Sequence, residues 1–112
     1  KLAVILERES LKWLRPAKGQ FQMFYRSGND HAEYQPDFVA ETATHILMIE
    51  PKMATQMQDA TVLAKRDVAL QWCAWASEHA ASYGGKPWRY LLVPHDAIAD
   101  NITLDFLLKQ YA

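Results

Sequence analysis

Two short apolar runs, Phe38-Val39-Ala40 and Ile46-Leu47-Met48-Ile49, flank the polar segment Glu41-Thr42-Ala43-Thr44. Runs of this length around a polar turn predict a β-hairpin. Charged residues stand at its open end. Asp37 lies at the start of the first strand, Glu50 ends the second, and Lys52 follows two residues on. Side chains alternate faces along a strand, so Glu50 and Lys52 project to the same side. Hairpin pairing can bring Asp37 beside Glu50. Two carboxylates and one ammonium at one end of a sheet make a seat for a hard divalent cation.

The rest of the chain supplies elements to frame that hairpin. Leu2, Ile5, Leu6, Leu11, Trp13 and Leu14 mostly fit one helical stripe, which predicts a helical segment over Lys1 to Leu14. Within it Ser10 is a candidate N-cap for a second short turn, and Pro16 and Gly19 close the segment. Glu7 and Glu9 interrupt the stripe. Both read as solvated helix surface, with one of them facing the carboxylate cluster as the sharper alternative. Gln20 to Arg26 alternates, with Phe21, Met23 and Tyr25 on one side, and predicts a strand. Ser27-Gly28-Asn29-Asp30 is a turn. These strands in close succession predict an antiparallel meander.

Met53 to Thr61 has no periodic pattern and reads as a loop. Thr61 to Tyr83 is rich in Ala, carries Val62, Ala69, Trp72, Cys73, Ala76 and Ala80 at helical spacing, and ends at Gly84-Gly85. That predicts a long helix. Trp72 and Trp75 read as core and rim packing rather than as a base-stacking platform. Trp88 to Val93 is a further strand ended by Pro94, joined to the sheet through a crossover. His95-Asp96 leads into a last helix that Asp100 or Asn101 breaks into two turns. The expectation is one α/β domain over residues 1–112, with a mixed sheet of about four strands flanked by helices.

Composition narrows the function classes. With 12 basic and 13 acidic residues the net charge is -1, which lacks the strongly basic signature of a nucleic-acid binder. DNA binding by such a domain alone would have to rest on local patches. The one cysteine, Cys73, cannot form an internal disulfide and reads as a small buried apolar residue. No signal peptide or membrane-length apolar run is visible, so a cytoplasmic setting without a membrane partner is expected. The chain starts at Lys1, inside an expected helix, as a fragment of a longer protein would. His31, His45, His79 and His95 lack the spacing of a zinc site.

Phosphodiester hydrolysis needs charge compensation and an activated water, both of which Mg²⁺ supplies. Mg²⁺ prefers oxygen and keeps several waters, so one or two carboxylates suffice. Asp37 and Glu50 are the candidate ligands, with the backbone carbonyl of Pro51 as a third, because proline retains its C=O. Lys52 would position or activate the water. The competing reading is a surface ion pair of little energetic worth. Lys65 and Gln71 on the long helix are accessory candidates, or else plain helix surface.

Pro36-Asp37, 12 intervening residues spanning the hairpin turn, and Glu50-Pro51-Lys52 resemble the PD-(D/E)XK nuclease signature. Phe21-Gln22-Met23-Phe24-Tyr25, Tyr34 to Thr42, Met48 to Lys52 and Lys86-Pro87-Trp88-Arg89-Tyr90 are similar to the C-terminal endonuclease region of the restriction (Res) subunit of type III restriction enzymes. That resemblance runs from about Leu2 to Tyr111. It implies a restriction-endonuclease-like core and a bacterial, cytoplasmic DNA endonuclease that requires Mg²⁺. It implies Asp37 and Glu50 as metal ligands and Lys52 as the catalytic lysine. It also implies double-stranded DNA as substrate, a helicase-like motor in the same parent chain that alone uses ATP, and methyltransferase (Mod) subunits as partners. The chain departs from the pattern in carrying proline at position 51. The superfamily's optional acid in the first helix maps only loosely to Glu7 or Glu9. The alternative within the same fold is an inactive docking or DNA-binding module; an unrelated enzyme with His45 or His95 as base lacks a visible nucleophile.

Overall fold

The computed structural model describes residues 1–28, 30–99 and 101–112. Helix α1 (Leu2–Glu9) leads into strand β1 (Lys12–Leu14). A hairpin of β2 (Met23–Ser27) and β3 (Asp30–Tyr34) follows, then β4 (Phe38–Glu41) and β5 (Ile46–Lys52). Helix α2 (Ala60–Ala81) connects to β6 (Trp88–Pro94), and α3 (Leu104–Tyr111) ends the chain. The main sheet has four strands in the order β1-β4-β5-β6, and β2-β3 form a separate two-stranded sheet. Strands β1, β4 and β5 are antiparallel, while β6 joins β5 in parallel after the α2 crossover. The fold is therefore the α/β mixed sheet flanked by helices that the order of apolar runs predicts.

Alternation sorts the side chains onto two faces of the main sheet. Phe38, Ala40, Leu47, Ile49, Leu91 and Val93 pack against Leu2, Ile5 and Leu6 of α1 and Leu104 and Leu107 of α3. Met48, Tyr90 and Leu92 pack on the other face against Val62, Ala69 and Cys73 of α2 and Met23 and Tyr34 of the hairpin. Burial pushes the Cys73 thiol up to about 12, in keeping with an inert apolar role. Trp72 stacks edge-on with Phe21 and Trp88, whereas Trp75 is exposed.

Two local expectations are corrected and a third holds. The first helix does not run to Leu14 but stops at Glu9, and Ser10 is its C-cap rather than an N-cap, in extended conformation with its N–H donating to Leu6 O. Leu11 N then donates to Glu41 O, and Lys12, Trp13 and Leu14 pair with Glu41, Ala40 and Val39. The helical stripe holds only through Leu6; Leu11 and Leu14 are exposed, and pairing with a distant strand outweighs local spacing. Second, the strand that completes the antiparallel meander is therefore β1, not the strand in Gln20 to Arg26. That strand starts at Met23, just after Gln22 at φ 53, and among the described residues pairs with β3, a further strand over Asp30–Tyr34, rather than with β4. Third, the run from His95 splits into a 3-10 turn (His95–Ala97) and α3. Asn101 lies between them, as expected of a breaker; Asp100 and the turn residue Asn29 fall outside the described residues.

Among the described residues no helix is long and apolar enough to cross a membrane. Leu6 is fully buried between α1 and the sheet. Leu6→Ala should cost about 2–5 kcal/mol through lost transfer energy and a residual cavity, read as a lower urea midpoint with an unchanged slope. An unaltered midpoint would mean that α1 is not part of the cooperative core.

Candidate metal centre

The pairing of β4 with β5 positions the site. Phe38 faces Ile49 across the ladder, so Asp37 stands opposite Glu50 at the end of the sheet. On the other side of β5, Glu50 lies beside Leu92 of β6. The Glu50 side chain follows Met48 onto the α2 face and is only 4% exposed, while Asp37 is exposed. Glu50 is the one buried charged side chain among the described residues.

A buried carboxylate needs partners. The Tyr34 hydroxyl donates to Glu50 Oε1 at 2.8 Å, and Lys52 Nζ stands 3.7 Å from Oε2. The Tyr34 and Tyr90 hydroxyls are 3.2 Å apart, with their rings edge to face. Burial pushes the Glu50 carboxyl from its ordinary 4.5 up to about 7, and the neighbouring charge of Asp37 adds to the rise. The Tyr34 hydrogen bond and Lys52 oppose it, while hydrogen bonding with Asp37 adds to it. Burial, and then the charge of Glu50, raise the Tyr34 hydroxyl well above the usual phenol range, so it stays a donor.

Asp37, Glu50 and Lys52 thus come together as the sequence predicts. Pro51 is buried and turns its ring to the α1 face, where it lies beside Phe38 in one pocket. Its missing N–H does not end the ladder, which continues through Lys52 and Pro94. Lys65 reaches over from α2, its Nζ 5.9 Å from the ring centre of Tyr34 and 5.4 Å from that of Tyr25. It borders the cluster.

The other accessory candidates lie elsewhere. Glu7 accepts from Trp13 Nε1 at 2.8 Å, which ties α1 to β1. Glu9 accepts from Leu104 N at 2.8 Å and pairs with Arg8, so it caps the start of α3. It shares a pocket with Thr42, Ala43 and Thr44, at the opposite end of the sheet from Asp37. Gln71 lines a groove with Gln22, Met23 and Phe24, more than a helical turn along α2 from Lys65. All three face the wrong element because α1 packs on the far side of the sheet and α2 runs away from the site. Tyr34 and Tyr90 are the residues that sequence reasoning missed. The available signal was a tyrosine at each of two strand positions facing the acid, since a buried hydroxyl must find a partner.

Among the described residues no group of three His, Cys, Asp or Glu is close enough to hold a metal. Two carboxylates nonetheless fit a hard cation that keeps most of its water. The facing carboxylates of Asp37 and Glu50, one of them buried, are the observation in favour: a divalent cation would offset the burial and the like charge of Asp37 that together raise Glu50. Searches of protein-family models, curated proteins and solved structures find no match to the chain.

The Glu50 shift has a consequence for stability. The folded form holds the proton more tightly than the unfolded chain, so its contribution is full below about pH 4.5 and is lost as pH rises through about 7. Between those limits folding stability should fall by roughly 3 kcal/mol, the worth of moving the carboxyl from 4.5 to about 7. Urea unfolding of the wild type against Glu50→Gln at pH 5 and pH 8 tests this. The variant should lack the decline; a parallel decline in both would refute the buried acid as its source. Glu41, held low by its hydrogen bond to Lys86, contributes the opposite trend as pH falls through its own range.

Proposed function

We propose that the chain is a Mg²⁺-dependent DNA endonuclease domain that hydrolyses phosphodiester bonds. The observation that carries the reading is the buried carboxylate of Glu50, set opposite Asp37 and beside Lys52 at the open end of a mixed sheet. The resemblance of Pro36-Asp37 and Glu50-Pro51-Lys52 to the nuclease signature supports it, as does the order of the main-sheet elements once the inserted β2–β3 hairpin is set aside: helix, three antiparallel strands, helix, parallel strand. On the narrower resemblance, the domain belongs to a type III restriction enzyme. Its DNA recognition and ATP use would then come from methyltransferase subunits and a motor outside this chain, in a bacterial cytoplasm.

Asp37 and Glu50 would hold the cation, together with the Pro51 carbonyl. When bound, the cation supplies Lewis-acid polarisation of the phosphoryl oxygens and a more acidic water. Tyr34 fixes the Glu50 rotamer by donating to one oxygen, which leaves the other turned toward Lys52 and Asp37. Lys52 donates to the attacking water, orients it in line with the scissile bond, and stabilises the negative charge that develops on phosphate. Tyr34 and Tyr90 wall the buried side of the site and limit stray water. Lys65 is placed to offset the charge of a phosphate arriving over Tyr34.

Supercoiled plasmid incubated with the chain and Mg²⁺ or Mn²⁺ tests the assignment. Asp37→Ala and Glu50→Gln should abolish nicking. Lys52→Ala should retain metal binding while losing roughly 10²–10⁴-fold in rate, the usual worth of a group that handles a proton. Undiminished cleavage by Asp37→Ala would sink the proposal. Metal binding without cleavage, in the chain and in its parent protein alike, would favour an inactive docking or DNA-binding module.

A further inference from the structure

A second feature stands at the same end of the sheet, on the face away from Glu50. Lys1, Arg15, Phe38, Pro51 and His95, together with the apolar Leu2 and Ile98, line a pocket of about 250 Å³. Phe38 adjoins Asp37 in the chain, and Pro51 lies between Glu50 and Lys52. The pocket is thus one residue, about 3.8 Å of chain, from each member of the carboxylate site. The Arg15 guanidinium lies over the Phe38 ring, 4.7 Å from its centre. That stacking holds a planar fork of N–H donors at the pocket wall. No carboxylate lines the pocket. Among the described residues neither Arg15, Lys1 nor His95 is in an ion pair. These cationic and donor groups gathered around an uncommitted cavity suit an anion, and an arginine fork suits phosphate in particular.

We propose that this pocket is a phosphate subsite for the DNA backbone, with Arg15 as its principal donor and His95 as a second. The subsite rests on the nuclease reading and extends it. Successive phosphates of one strand rise about 3.4 Å along the duplex axis. A strand crossing the end of β4 and β5 would place one phosphate at Asp37 and Glu50 and another, a step or two along, against Arg15. The subsite fixes register on the backbone and carries no base preference. It supplies the local positive patch that the chain's net charge of -1 conceals.

Fluorescence anisotropy of a labelled duplex without divalent cation tests it, across about 50 to 200 mM salt. Arg15→Ala should weaken binding roughly tenfold and lower the salt slope by about one. Arg15→Lys should restore the slope. His95→Gln, at an exposed side chain, should weaken binding by a smaller factor and so checks the pocket without disturbing the Phe38 stacking. Unchanged affinity and slope in Arg15→Ala would overturn the subsite, as would absence of binding by the wild type at the lowest salt. Displacement of the duplex by inorganic phosphate at equal affinity would also overturn it, by assigning the pocket to a free anion. Calorimetry with Mn²⁺ separates the two readings. Loss of the metal site sinks the nuclease, whereas intact metal binding with unaltered DNA affinity in Arg15→Ala sinks the subsite alone.

Discussion

The pairing of Phe38 with Ile49 decides most of what this molecule can do. Strand side chains alternate with a period of two, so one register sends Phe38, Ala40, Leu47 and Ile49 to α1 and α3 and Met48 to α2. The same register leaves Asp37 opposed to Glu50 where the ladder ends. A slip of one residue would carry every one of these side chains to the wrong face. Burial on both faces therefore guards the geometry of the carboxylates. Strand β6 completes the arrangement by setting Tyr90 beside Met48 and Leu92 beside Glu50. Glu50 thereby has an apolar neighbour along the ladder and a tyrosine pair across its face.

Glu50 is costly where it stands. A buried acid loses its hydration, and its nearest charged neighbours pull in opposite directions: Lys52 steadies the carboxylate while Asp37 repels it. Replacing a buried ionic group with a well-packed apolar one is often neutral or stabilising. Packing alone therefore gives no reason for an acid at this position. The proposed cation shared with Asp37 would give one, and the tyrosine hydroxyl already holds one oxygen in a fixed direction. The helix layer on the opposite face carries no such tension; its polar contacts, Glu7 with Trp13 and Glu9 with Leu104, join element to element.

The legible part of the chain was the part governed by short periods and punctuation. The Phe38–Ile49 hairpin, the Ala-rich helix stopped at Gly84-Gly85 and the strand before Pro94 each announce themselves locally. Asp37, Glu50 and Lys52 follow from the hairpin, because alternation and antiparallel pairing leave little freedom over where they point. What stayed hidden depends on distant partners. Lys12 to Leu14 becomes a strand only because β4 offers it an edge. The strand at Met23 stands outside the main sheet and pairs with Asp30–Tyr34 instead. Tyr34 and Tyr90 are separated by 56 positions and meet only through the sheet and its covering hairpin. Glu7 and Glu9 could not be assigned to a face until the end of α1 was known, and that end is set by the pairing of Leu11 with Glu41.

Mn²⁺ calorimetry on the wild type, Asp37→Ala and Glu50→Gln, at pH 8 and pH 6, addresses the carboxylate pair directly. A cation held by both acids predicts binding by the wild type at pH 8 and its loss in either variant. It also predicts weaker binding at pH 6 with proton release, since Glu50 must give up its proton near pH 7 to serve as a ligand. Equal affinity in the wild type and Glu50→Gln would contradict the metal centre.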